Sequence, residues 1–108
     1  MSRFAETLTR LQATIDARKA ADPASSYTAK LLAGGRALTA KKFGEEAVET
    51  VIAAMQADKD ALAAESADLI YHWLMLLAAS GVSLDDVAAK LEAREGTSGI
   101  VEKAGRKA

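Results

Sequence analysis

The stretch Glu65-Ser66-Ala67-Asp68-Leu69-Ile70-Tyr71-His72-Trp73-Leu74-Met75-Leu76-Leu77-Ala78-Ala79 decides the fold. Residues 69–79 are apolar nearly all the way round, interrupted by His72, so they read as a helix buried within a bundle. At about 100° per residue, Glu65, Asp68 and His72 fall in the same arc as Leu69, Met75 and Leu76. Ionised carboxylates on an inward arc are costly to desolvate and demand a paired cation, a metal or a water-filled cleft. The economical reading is a hydrophilic pocket between helices. The apolar run is too short to span a membrane, and no membrane partner is expected.

Upstream, Phe43, Ala47, Val51 and Met55 repeat every four residues within 36–56, and Val48 and Ile52 widen the stripe. This predicts a long amphipathic helix with its acids largely opposite the stripe. Asp58 caps the following helix, which runs to Ser80 and ends at Gly81, where a left-handed residue costs little. Ser83 and Asp86 open a last helix, to about Arg94, in a capping-box pattern. At the other end, Ser2 caps a helix reaching about Ala20, with Phe4, Leu8, Leu11 and Ile15 at helical steps. Asp22, Pro23, Ser25 and Ser26 break it. A short helical turn, Tyr27–Ala33, then ends at Gly34 and Gly35. Alanine dominates, Pro23 is the single proline and β-branched alternation is absent. The expected fold is all-α, a bundle of four main helices plus a short helical turn. The domain is expected over residues 1–95, followed by a basic, glycine-containing tail over 96–108.

The chain has 108 residues, half of them hydrophobic, with 14 basic and 15 acidic side chains. That is one domain, and its near-neutral balance gives no broad positive field for nucleic acid. A chain of this size leaves apolar surface over, which points to a homodimer interface. The absence of cysteine excludes disulfides, zinc thiolate sites and thiol nucleophiles, and agrees with a reducing compartment. The mixed polar stretch after Met1 is unlike a signal peptide. The expectation is a soluble, cytoplasmic protein.

Two acidic pairs carry the chemistry: Glu46 with Glu49, and Glu65 with Asp68, each at a three-residue step. Each pair shares a helix face, and two such helices packed antiparallel gather four acids. An all-oxygen set with at most one imidazole suits hard ions, magnesium or manganese, better than zinc or copper. Magnesium usually takes one or two carboxylates, so these acids imply several ions or a division between ligands and a water-orienting base. Such ions clamp a polyphosphate and lower the pKa of an attacking water. Lys30, Arg36, Lys41 and Lys42, with Arg94, Lys103, Arg106 and Lys107 in the tail, complement phosphates, although each alone reads more simply as surface charge. Taken alone, Glu45, Glu46 and Glu49 read as a solvated face balanced by Lys41 and Lys42. Glu65 and Asp68, sharing their arc with leucine, resist that reading. His72 contacts substrate, hydrogen-bonds Asp68 or packs in the interior. Tyr71 and Trp73 read as core or interface residues.

Through most of its length the chain resembles the MazG-like all-α nucleoside triphosphate pyrophosphohydrolases and, within them, the phosphoribosyl-ATP pyrophosphohydrolases of histidine biosynthesis. The matching segments are Ser26-Tyr27-Thr28-Ala29-Lys30-Leu31-Leu32, Lys41-Lys42-Phe43-Gly44-Glu45-Glu46-Ala47-Val48-Glu49, Glu65-Ser66-Ala67-Asp68-Leu69-Ile70-Tyr71-His72 and Thr97-Ser98-Gly99-Ile100-Val101-Glu102-Lys103. The acidic motifs carry the superfamily, and the other segments carry the histidine-pathway branch. The resemblance implies magnesium-dependent hydrolysis of the α-β phosphoanhydride of phosphoribosyl-ATP to phosphoribosyl-AMP and pyrophosphate. It also implies Glu46, Glu49, Glu65 and Asp68 as metal ligands and Glu45 as a further ligand or the water-orienting base. Lys30, Lys41 and Lys42 become phosphate contacts, and the family's common dimer has its sites near the subunit interface. Phe43 and Trp73 stand where smaller aliphatics are usual. The rival expectations are a pool-sanitising nucleotide pyrophosphohydrolase of the same superfamily and a non-catalytic helical dimerisation module.

Overall fold

A computed structural model describes residues 2–96, and among these the regular structure is entirely helical. Helix α1, Arg3–Arg18, starts where the Ser2 hydroxyl accepts from the Ala5 N–H at 3.1 Å. It stops short of the expected Ala20 because the next residues turn around Asp22. There the Asp22 carboxylate accepts from the Ala24 N–H at 3.0 Å, and the Ser25 hydroxyl donates to the Asp22 carbonyl at 2.9 Å. Helix α2, Tyr27–Ala33, is capped by Ser26, whose hydroxyl accepts from the Ala29 N–H at 3.2 Å. Gly35, at φ +79°, redirects the chain into α3, Gly35–Met55.

Ala57, at φ +57°, turns the chain again, and the Asp58 carboxylate caps α4, Lys59–Ser80, by accepting from the Ala61 N–H at 3.0 Å. Gly81 closes α4 in the left-handed region at φ +71°. The capping box expected at Ser83 and Asp86 is present at the start of α5, Leu84–Glu92. Its two bonds are 3.0 and 2.9 Å long, and the backbone and hydroxyl of Ser83 hold the Asp86 carboxyl below its ordinary range. The tail expected over 96–108 lies, Gly96 apart, outside the described residues. Among the described residues no single helix is long and apolar enough to cross a membrane.

Helices α3 and α4 form the most extensive helix pair. Thr50 meets Glu65 across their seam, while Glu46, earlier on α3, lies in the field of Asp68 and His72, later on α4. The two helices therefore run antiparallel. The core is Ile15 of α1, Leu31 of α2 and Leu74 and Met75 of α4, with Leu8, Leu11, Leu38 and Ile70 packed against it. Met75 is completely enclosed. The apolar stretch that opened the sequence reading is thus the spine of the bundle.

Helix α3 forms as expected, and its Leu38 packs against this core, but the large aliphatics of its second half do not face it. Thr39 and Ala53 are buried and Phe43, Glu46, Ala47 and Thr50 are partly buried, whereas Val48, Val51, Ile52 and Met55 are exposed, Met55 to 81%. The half of α4 that meets α3 carries acids and alanines, so the small and polar side of α3 packs there. Among the described residues the aliphatic stripe is left without a partner. A surface of that kind marks an interaction face.

Candidate functional site

The α3–α4 seam brings Glu46, Glu49 and Glu65 together. One carboxylate oxygen from each lies within 4.8 Å of those of the others. Thr50 sits at the centre of the seam: its hydroxyl donates to the Glu46 carbonyl at 2.8 Å and reaches the Glu65 carbonyl at 3.3 Å. Glu46 and Glu65 each bury one oxygen, Oε2, with no hydrogen-bond partner among the described residues. Buried polar atoms are ordinarily paired, so two orphaned carboxylate oxygens facing a third acid call for a positive group.

The electrostatics agree. The Glu46 carboxyl is raised above its usual range by burial first and then by the neighbouring Glu49 carboxyl, with Asp68 adding and His72 opposing. The Glu65 carboxyl is raised by burial, then by Glu49 and Asp68. A cation would remove both the repulsion and the cost of the unpaired oxygens. The donors are carboxylate oxygens, so the site suits a hard divalent ion. It opens onto a cleft of about 270 Å³ lined by Glu49, Ile52, Ala53, Gln56, Ala61 and Glu65.

The remaining sequence-predicted residues separate into near and far. Asp68 is exposed and lies outside the close trio, yet its charge reaches both Glu46 and Glu65. Glu45 is exposed and turned away from the trio toward Lys42, 3.3 Å from its ammonium. Lys30 and Lys41 are exposed on α2 and α3. His72 is buried, and both ring nitrogens are engaged. Nδ1 faces the Asp68 carbonyl at 2.7 Å, which can only accept, so Nδ1 carries the proton there. In the neutral ring Nε2 then accepts from the Tyr27 hydroxyl at 3.0 Å. His72 therefore braces Asp68 from behind instead of standing in the cleft.

Tyr27 is the residue that periodicity did not single out. It opens α2, and its link to His72 spans 45 positions in sequence. Its neighbour Thr28 is hydrogen-bonded through its hydroxyl to the Tyr71 hydroxyl. The signal available in the sequence was the Ser26-Tyr27-Thr28 segment itself, which reads locally as a helix start.

The all-α fold, with an E-x-x-E acid set on one helix facing an E-x-x-D set on its antiparallel neighbour, is consistent with the class of MazG-like pyrophosphohydrolases that the chain resembles. The family described as phosphoribosyl-ATP pyrophosphohydrolase matches residues 8–95. A phosphoribosyl-ATP pyrophosphatase of Caulobacter vibrioides (strain NA1000 / CB15N) is 72% identical over 104 residues, 96% of each chain. Those of Caulobacter sp. (strain K31) and Cereibacter sphaeroides (strain KD131 / KCTC 12085) are 69% identical over 106 residues and 62% over 99. These alignments cover 98% of each chain in the first case, and 92% of this chain and 96% of the relative in the second. The chain belongs to the phosphoribosyl-ATP pyrophosphohydrolase family.

Proposed function

We propose that this chain hydrolyses the α-β phosphoanhydride of phosphoribosyl-ATP, giving phosphoribosyl-AMP and pyrophosphate, in histidine biosynthesis. The observation that carries the reading is the trio Glu46, Glu49 and Glu65, with its two buried and unpaired oxygens, in a chain of this family. These three residues, with Asp68 at the exposed edge, would hold magnesium, or manganese in its place. A bound ion of this kind polarises phosphate oxygens and makes water a better nucleophile.

The chain's own residues supply position and proton transfer. Glu45 is the proposed base: it orients the attacking water and takes its proton as the bond to the leaving pyrophosphate breaks. In the structure Glu45 is paired with Lys42, an exposed contact of the kind that contributes little to stability. Arriving phosphate can draw Lys42 away and free Glu45 for water. Lys30 and Lys41 are further phosphate contacts. His72 keeps the Asp68 segment in place through its bond to the Asp68 carbonyl.

The exposed aliphatic stripe of α3 supports a homodimer through Val48, Val51, Ile52 and Met55. Glu49 lies on the same helix, so that face runs close to the acid seam. The proposed catalytic domain spans residues 1–95, and 96–108 form its basic tail. The proposed setting is the cytoplasm.

The deciding experiment measures magnesium-dependent pyrophosphate release from phosphoribosyl-ATP beside ATP, dCTP and dUTP. Phosphoribosyl-ATP is expected to give the highest kcat/KM. Preference for dCTP or dUTP overturns the pathway assignment. If neither pyrophosphate release nor metal-dependent stabilisation occurs with any of them, the chain is a helical dimerisation module.

A further inference from the structure

Helix α2 turns Thr28, Ala29 and Leu31 into the interior. Its outward side carries Tyr27 and Lys30, three residues apart and therefore neighbours on one face, both exposed. A tyrosine ring left 55% exposed keeps much of its apolar surface in water. It is nevertheless anchored. Its hydroxyl is bonded to His72 Nε2 at 3.0 Å, and the ring stands edge-on to the imidazole, with centroids 6.0 Å apart and planes at 76°. His72 in turn holds the Asp68 carbonyl and lies close enough to Glu46 to act on its charge.

The polar end of Tyr27 is thus tied to the back of the acid seam, while the rest of the ring remains open to solvent beside it. Nothing in the proposed hydrolytic step uses that ring. An aromatic surface fixed in one orientation loses little freedom when a flat ligand settles on it, and base–aromatic stacking needs only such a surface. With an ammonium one turn along the same helix face, the arrangement is complementary to a purine nucleotide.

We infer that Tyr27 stacks against the purine of the substrate and sets nucleotide specificity, while Lys30 on the same face meets its phosphates. This rests on the hydrolase reading above. The hydroxyl bond to His72 holds the ring ready, and the ring itself makes the contact. The aliphatic stripe proposed for the dimer lies on a different helix, α3.

The test compares the wild-type protein with Tyr27→Leu, Tyr27→Phe and Tyr27→Trp. For Tyr27→Leu, KM for phosphoribosyl-ATP is expected to rise about tenfold, more than kcat falls. Inhibition by AMP should weaken by a similar factor, while inhibition by inorganic pyrophosphate, which has no base to stack, should be retained. Tyr27→Phe should recover most of the lost affinity. In Tyr27→Trp, AMP is expected to quench emission beyond that seen from Trp73 alone. Unchanged KM in Tyr27→Leu, equal weakening of AMP and pyrophosphate, or no added quenching in Tyr27→Trp overturns the inference. So does a change of oligomeric state in Tyr27→Leu, which would make the ring an interface residue. A wild-type protein inactive on phosphoribosyl-ATP refutes the hydrolase reading instead, and AMP binding at Tyr27 can still be read from the quenching.

Discussion

Replacing Glu46 by glutamine removes one charge from the acid seam with little change of shape, and the geometry fixes the sign of the result. The nearest Glu46 and Glu49 carboxylate oxygens are at most 4.8 Å apart. Two unit charges at that distance repel by roughly 1 kcal/mol in a water-like medium and by about 3–4 kcal/mol at an effective dielectric near 20. Glu46 is partly buried and the seam opens to solvent, so the lower figure, about 1 kcal/mol, applies. Its folded pKa is raised, by burial first and by Glu49 next. Well below the ordinary value of 4.5, Glu46 is neutral in both the folded and unfolded chain. As pH rises past that value the unfolded chain releases its proton first, and stability is lost until the raised folded pKa is passed.

At pH 8 in chelator, Glu46→Gln should therefore melt about 4–8 °C above wild type. The gain should shrink toward pH 4.5. With saturating magnesium or manganese the order reverses, because wild type gains the binding energy and the variant loses a ligand. Metal-induced stabilisation of wild type should itself grow with pH through this window, since protons compete for the same oxygens. Thermal unfolding followed by helical circular dichroism, at one protein concentration, reads all of these. A variant that melts below wild type at pH 8 in chelator refutes the reasoning, because the Glu46 charge would then be stabilising without a metal.

Three further outcomes are expected. Met75→Ala empties the centre of the core and should cost about 2–5 kcal/mol in a urea titration, a large share of ordinary domain stability. A loss below about 1 kcal/mol would mean that Met75 is not enclosed as described. Val51→Glu, at a site 61% exposed within the chain, should keep the helical signal but shift sedimentation toward a single chain, and unchanged assembly would place the interface elsewhere. Glu49→Gln and Asp68→Asn should each lower kcat by about a hundredfold or more with the fold intact. Near-normal turnover in both would remove them from the site.

What the sequence made legible was mostly local. The caps at Ser2, Asp58 and Ser83 and the stop at Gly81 follow from hydrogen bonds and dihedral preferences that act within a few residues. The acid seam was legible for a different reason. Three-residue spacing puts each acid pair on one face, and a short connection forces the two helices side by side.

The face of α3 was not legible. A four-residue apolar repeat says that Val51 and Met55 share a side, but it is silent on whether that side meets the chain's own core or a second subunit. The acids opposite decide it, because they pack against the acids of α4. Where Glu45 turns was not legible either: it neighbours Glu46, yet one residue is about 100° of rotation, enough to bring it to Lys42. The Tyr27–His72 bond could not be read at all, since it joins the start of one helix to the middle of another, and no periodicity links them.

The most direct test of the central claim is a crystal grown with manganese and examined by anomalous scattering. Density for the ion is expected between the carboxylates of Glu46, Glu49 and Glu65, with Asp68 at its edge. Saturating manganese that leaves this seam empty, or that binds only at acids elsewhere on the surface, would contradict the account.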